Sequence, residues 1–396
     1  MSEASAAAAT TSYEYDREPF LIVFDESSAI KETYAGQLGK IVLEAHRLAP
    51  RGVPAKLVMI FMHPIGGTQY LPMLAAFAKA GIHVISCNSR YPRNDSALIM
   101  EKVAADLGAC VRHAREKFGY QTVVLGGWSG GGSLSLFYQS QAEAPTITQT
   151  PAGDAYDLTA AGLIPADAVM LLAAHTSRAK TLTEWLDPSI SDETDSFSRD
   201  PALNIYDPAN PNQPPYDTAW LETYRAAQIA RNRRITDWVQ SLLAEGKKRE
   251  GETFEHCFVV HGTMADPAWL DPAIEPNGRK PGWCMMGDPK MVNDAPAGLA
   301  RFCTLRSWLS QWSYDLSNAD GPESAKRITV PALMIENSAD DGCLPHHNRR
   351  FWDAIGHTDK EKHVIEGANH YYFGQPDKAG EAVALCRDWL QRRGFL

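Results

Sequence analysis

The 396 residues are 44% hydrophobic and 22% charged, the make-up of a globular chain with a large core rather than of a disordered one. A formal net charge of −10 with dispersed basic residues excludes a nucleic-acid surface, which needs clustered cations to neutralise phosphates. Seven scattered cysteines without a C-x-x-C pair indicate neither a disulfide framework nor a zinc knuckle, and no apolar run reaches the roughly 18 residues of a membrane span.

Met1 to Ser12 is rich in Ala, Ser and Thr but lacks the basic-then-apolar order of a secretory signal. Residues 1–18 are therefore expected to form a disordered tail on a cytoplasmic protein. Phe20–Phe24 and Lys40–Ala45, separated by the turn-prone stretch Gly36 to Gly39, predict an antiparallel hairpin at a sheet edge. Lys56–Met62 reads as a central strand that ends in His63-Pro64-Ile65-Gly66-Gly67, a glycine-rich turn that exposes backbone amides. Helical spacing over Tyr70–Ala80 leads to a strand at His83–Cys87, a polar loop over Asn88–Asp95, and a helix over Ala97–Phe118 that stops at Gly119.

Thr122–Leu125 is the third strand of this rhythm and runs into Gly127-Trp128-Ser129-Gly130-Gly131, after which Ser133–Gln139 suits a packed helix. A G-x-S-x-G sequence between a strand and a helix places its serine at a sharp, strained corner, with small residues on either side that allow close backbone approach. A phosphate-binding loop is the competing reading. No Lys follows the glycines and G-x-G-x-x-G spacing is absent, so that reading is weaker. Ala168–Ala174 adds another strand to what alternation of strands and helices makes a doubly wound parallel sheet.

From Thr176 to about Lys326 the rhythm is lost. The segment is rich in Pro, Asp, Asn and Trp, with helical stretches near Thr218–Ala244 and Gly298–Ser313, and it reads as a mainly helical cap inserted after the sixth strand. The domain reading is thus a core of 19–175 and 327–396 with a cap of 176–326. Trp185, Trp220, Trp238, Trp269, Trp283, Trp308 and Trp312 all lie in the cap; they either line an apolar or aromatic substrate pocket or pack the cap itself, and packing is the commoner fate of a Trp. Val330–Ile335 resumes the sheet, followed by the loop Glu336 to Pro345, a helical stretch through Ile355, a short strand at His363–Ile365, the loop Glu366 to Tyr372 and an amphipathic helix over Ala379–Arg392.

The order Ser129, an acid near 340, then His370 after the last strand, together with the 63–67 turn and the Gly367-Ala368-Asn369-His370 ending, resembles the α/β-hydrolase fold. The resemblance covers roughly Lys40–Ala174 and Ile328–Leu396 and implies a cofactor-independent serine esterase or lactonase. It implies that Ser129 attacks a carbonyl, that His370 accepts and returns the proton, and that Gly130 and a turn residue, Ile65 or secondly Gly66, hold the oxyanion. Pro64 departs from the usual His-Gly start and removes one donor. For the acid, the strand end favours Asp340 and the spacing back from Pro345 favours Asp341; Asp340 is taken as the acid that orients His370, because the strand end fixes a carboxylate more directly than the following loop does. Asp266, after the strand-like Phe258 to His261, is a third candidate within the cap. His346 and His347 beside these aspartates suggest a metal site, but adjacent histidines are expected to diverge, so none is assigned. Tyr371 and Tyr372 either border the pocket or pack beneath the cap. The same triad also serves carbon-carbon bond hydrolases and acyltransferases, and the same fold serves non-catalytic ligand receptors. The expected partner is a small apolar or aromatic ester or lactone.

Overall fold

The computed structural model describes residues 12–26, 39–54, 56–296 and 298–396. Part of the turn expected at Gly36 to Gly39 lies outside them, as do residues 1–11. Eight strands form one sheet: β1 (Tyr15–Asp25), β2 (Lys40–Pro50), β3 (Leu57–Phe61), β4 (His83–Cys87), β5 (Thr122–Ser129), β6 (Ala168–Ala174), β7 (Ala332–Asn337) and β8 (Lys360–Ile365). Their spatial order is β1-β2-β4-β3-β5-β6-β7-β8. β2 is antiparallel to both β1 and β4, while all other pairings are parallel. β1 begins at Tyr15, inside the segment expected to be a tail, because it pairs with β2 in register from Tyr15↔Pro50 to Asp25↔Lys40.

Strands buried on both faces need apolar side chains on both, and β3 shows this residue by residue. Val58 and Ile60 join a cluster with Val103 and Leu107 of α2 (Met100–Glu116) and Leu134 of α3 (Gly130–Glu143). Met59 and Phe61 point the other way, toward Phe77 of α1 (Pro72–Lys79) and Trp389 of α7 (Pro376–Arg392). The central strands are thus pinned between two apolar layers. Their carboxyl ends, where β3, β5, β6 and β7 stop, are held in a fixed relation to one another.

The chain between β6 and β7 builds its own core. α4 (Arg178–Trp185) and α5 (Thr218–Glu250) pack Leu182, Trp185, Ile235 and Val239 against Trp269, Trp308 and Trp312. α5 is fixed at its start by Asp217, whose carboxylate accepts from the amides of Ala219 and Trp220, and it ends at Gly251 with Lys247, Lys248 and Arg249 in the last turn. This segment is less helical than its sequence predicts. Of the helix expected near 298–313, Phe302–Thr304 is instead a strand paired with Cys257–Val259, and Trp308–Trp312 is a π-helical turn. A second small antiparallel pair joins Ile190–Asp192 to Asp195–Arg199. α6 (Pro345–Ala354) follows β7.

Among the described residues, no helix is long and apolar enough to cross a membrane, and the seven cysteines form no disulfide.

Candidate active site

β5 runs farther than its apolar residues alone indicate, ending at Ser129, and α3 starts at once at Gly130. Ser129 makes the corner with φ 52° and ψ −124°, a strained conformation for a residue with a side chain. The glycines around it permit the approach this corner demands. A Cβ on Gly127 would lie 2.5 Å from Gly132 Cα, and one on Gly131 would lie 2.6 Å from the carbonyl oxygen of Met62 at the end of β3. Gly130 opens the helix, so its amide has no intrahelical acceptor.

His370 arrives from the loop after β8. Its Nε2 stands 3.2 Å from Ser129 Oγ, and its Nδ1 stands 2.9 and 3.0 Å from the two carboxylate oxygens of Asp340. The ring is packed by Trp128 at 4.8 Å and by the edge-on Tyr371 at 4.8 Å, and Trp128 Nε1–H donates to the His370 carbonyl at 3.3 Å. Asp340 is fully buried, and its Oδ1 accepts from the amides of Gly342 and Cys343, both at 2.7 Å. Burial opposes charging of His370, but the Asp340 carboxylate outweighs it through its charge and its hydrogen bonds, so the imidazole titrates above its ordinary value. A base of raised affinity for protons, aligned on a hydroxyl at a strained corner, is equipped to abstract the hydroxyl proton.

The serine opens into a cavity of about 390 Å³. The sheet side contributes Tyr70, Leu71, Trp128 and Tyr371, and the insertion contributes Leu182, Trp185, Met285, Met286 and Leu299. Among the described residues the lining is largely apolar, with Arg178 as its one permanent cation, and that guanidinium is already held by Asp95 and Gln311.

No protein-family model matches the chain, and no curated protein matches it. Solved structures do. A highly thermostable carboxyl esterase from Bacillus coagulans, in complex with glycerol, matches with a TM-score of 0.51 at 13% identity, covering 94% of this chain and 98% of its own. The α/β hydrolase GrgF from Penicillium sp. sh18 matches with a TM-score of 0.50 at 12% identity, covering 95% and 98%. The chain has the α/β-hydrolase fold. At such identities the likeness speaks for the fold alone.

Within this α/β-hydrolase frame the other sequence candidates separate. Asp341 does not meet His370; its backbone carbonyl accepts from Trp269 Nε1 at 2.8 Å, and burial together with the neighbouring Asp340 charge pushes its carboxyl up to about 6. Asp266 caps a short turn through the amide of Ala268 and pairs with Arg225 at 2.6 Å, the role of a loop residue in the insertion. Of the two oxyanion alternatives in the 63–67 turn, Gly66 has its amide donating to the His63 carbonyl at 2.8 Å, which closes the turn. The amide of Ile65 meets His63 Nδ1 at 3.3 Å. Tyr371 borders the cavity, while Tyr372 is buried and donates to Asn337 Oδ1 at 2.8 Å. Of the seven tryptophans of the insertion, Trp185 reaches the cavity, and Trp269, Trp308 and Trp312 are wholly buried in packing.

His346 and His347 do not diverge as expected. Their rings lie 4.0 Å apart, and with Glu184 they bring ligand atoms within 4.8 Å of one another. Both Glu184 oxygens are engaged, by a hydrogen bond with His346 Nε2 at 3.0 Å and by an ion pair with Arg350 Nη1 at 2.8 Å. Sequence reasoning missed the histidines that flank the nucleophile. A Cβ on Gly130 would lie 2.7 Å from His63 Nε2 and 3.0 Å from His175 Nε2. Burial, with Arg178 and His370 nearby, pushes His175 down to about 3. Its signal was its place one residue past β6, beside the end of β5.

Proposed function

We propose that this protein is a cofactor-independent serine hydrolase of carboxylic esters or lactones that works through an acyl-enzyme. The observation that carries the reading is the continuous relay from Asp340 through His370 to Ser129, with each link at hydrogen-bond distance. Ser129 Oγ attacks the substrate carbonyl as its proton passes to His370 Nε2. Asp340 holds the tautomer that leaves Nε2 free to accept and stabilises the imidazolium that forms. The carbonyl oxygen, now negative, is met by the amide of Gly130 and a further donor from the turn after β3. Collapse returns the proton to the departing alcohol, and water, activated by the same histidine, releases the acid.

The apolar walls favour an acyl or alcohol group that is aliphatic or aromatic, and about 390 Å³ suits a small ligand rather than a polymer segment. The test is turnover of p-nitrophenyl esters of increasing acyl length by the wild type and Ser129→Ala. Hydrolysis that falls by at least about 10⁴-fold in the variant supports the reading. Equal turnover by both discredits it.

A further inference from the structure

The second oxyanion donor is expected from the amide of Ile65 or Gly66 in the 63–67 turn, yet the amides of Ile65, Gly66 and Gly67 are already engaged. Pro64 has none. The amide of Ile65 donates to His63 Nδ1 at 3.3 Å, that of Gly66 to the His63 carbonyl at 2.8 Å, and that of Gly67 to Asn88 Oδ1 at 3.1 Å. What the turn does present to Gly130 is an imidazole. Because Nδ1 accepts from Ile65, the neutral ring carries its proton on Nε2. That nitrogen stands 2.7 Å from the point where a Cβ of residue 130 would sit, and its ring lines the cavity together with Ser129.

We propose that His63 is a catalytic residue, its Nε2–H standing beside the Gly130 amide as the second hydrogen-bond donor to the carbonyl oxygen as that oxygen gains charge. The proposal rests on the serine-hydrolase reading and assigns a donor within it. His175 offers its Nε2 to the same region at 3.0 Å, but its Nδ1 has no hydrogen-bond partner, so nothing fixes a proton on Nε2. His63 is also kept neutral: burial, then Arg178, His175 and His370, hold its pKa well below the ordinary value. A neutral donor adds no ionisation to the pH profile and does not compete with His370 for the serine proton. It also explains how Pro64 is tolerated, since the turn no longer has to spare an amide.

The test separates a donor from a residue that only shapes the turn. His63→Asn retains a side-chain oxygen that can accept from the amide two residues on, as asparagine does in turns, but its side chain is too short to reach the oxyanion. His63→Gln extends an N–H to about the position of Nε2. With p-nitrophenyl butyrate, His63→Asn is expected to lose about 10²–10³-fold in kcat with KM within about threefold, and His63→Gln to recover at least about tenfold of that loss. The acid limb of the pH profile stays where His370 puts it in both. Should His63→Asn not fold, His63→Phe removes the donor and keeps a ring in place. If Ile65 supplies the donor instead, His63→Phe frees its amide and holds kcat. Retention of kcat within about threefold while Ser129→Ala is inactive overturns the proposal alone, as does an equal fall in the Asn and Gln variants. Full activity of Ser129→Ala overturns the serine-hydrolase reading beneath it.

Discussion

The sheet and the chain inserted between β6 and β7 satisfy their backbones by different means. In the sheet, carbonyls and amides pair strand to strand, and side chains need only be apolar. Outside its helices, α4 and α5, the insertion has few ladders, and buried guanidinium groups take their place. Arg279 donates to the carbonyls of Ala268, Asp271, Ile274 and Glu275, Arg231 to that of Asp187, and Arg306 to those of Phe254 and Glu252. The two systems meet at the acid. Asn277 Nδ2 donates to the Asp340 carbonyl at 2.8 Å, the Gly278 amide donates to the Ser338 carbonyl at 2.6 Å, and Trp269 holds Asp341. The sheet places the three side chains of the proposed relay, and an arginine-knitted loop of the insertion braces one of them from behind.

Breaking the sheet-borne relay is expected to have the largest effect. Asp340→Asn should lower kcat by about 10⁴-fold, because the histidine loses both its tautomer and the stabilisation of its charged form. Its pH signature is equally specific. His370 must be neutral to accept the proton, so wild-type kcat/KM should fall as pH drops through a value above the ordinary imidazole pKa. Without the Asp340 charge, burial acts in the opposite sense and the acid limb should move to lower pH. The raised value also sets a stability window: the charged pair stabilises the fold below the unfolded histidine pKa, and that contribution fades as pH rises through the folded value.

Breaking the insertion's bracing should show as stability first and activity second. Arg279→Leu leaves four carbonyls without their donor and is expected to cost about 3–5 kcal/mol, measured by denaturant unfolding. Trp389→Ala, on the sheet side, should cost a similar amount, about 3–5 kcal/mol, but by opening a cavity. Activity separates them. At temperatures where each variant is folded, the Arg279 variant should lose kcat because its loop backs the acid, whereas the Trp389 variant should not. Asn277→Ala removes one brace, and a loss of about 1 kcal/mol corresponds to no more than about tenfold in kcat. The smallest change is expected at Asp341. Asp341→Asn should leave kcat within a few-fold. Since the folded carboxyl is pushed up to about 6, its ionisation opposes folding as pH rises from the ordinary carboxyl value to about 6. The variant should therefore unfold at a higher temperature than wild type at pH 7, with the difference vanishing below about pH 4.

The same contrast explains what was legible in the sequence. His83–Cys87 and Ala168–Ala174 coincide with β4 and β6 because a strand buried on both faces is an apolar run with sharp ends. Ser129 and His370 were legible because the corner and the last loop carry glycines and chain order. Counting from the strand end favours Asp340, the carboxylate that meets His370, whereas counting back from Pro345 favours Asp341; neither count records the amides of Gly342 and Cys343, which fix the Asp340 carboxylate. Phe302–Thr304 reads as helix and folds as strand because its partner lies at Cys257–Val259, a pairing that local pattern does not record. The hydrogen bonding of the 63–67 turn is hidden for a related reason: the acceptors of the Ile65 and Gly67 amides depend on where the His63 ring and the Asn88 side chain settle. The arginines that knit the insertion look like ordinary surface charge until their carbonyl partners are placed.

The central claim is that His370 activates Ser129. Peptide mass spectrometry after treatment with diisopropyl fluorophosphate, on wild type and His370→Ala, tests it most directly. A single adduct on the Ser129 peptide of the wild type, lost from His370→Ala under the same conditions, is the predicted result. An unmodified Ser129 peptide in the wild type, or equal labelling in both proteins, would contradict the account.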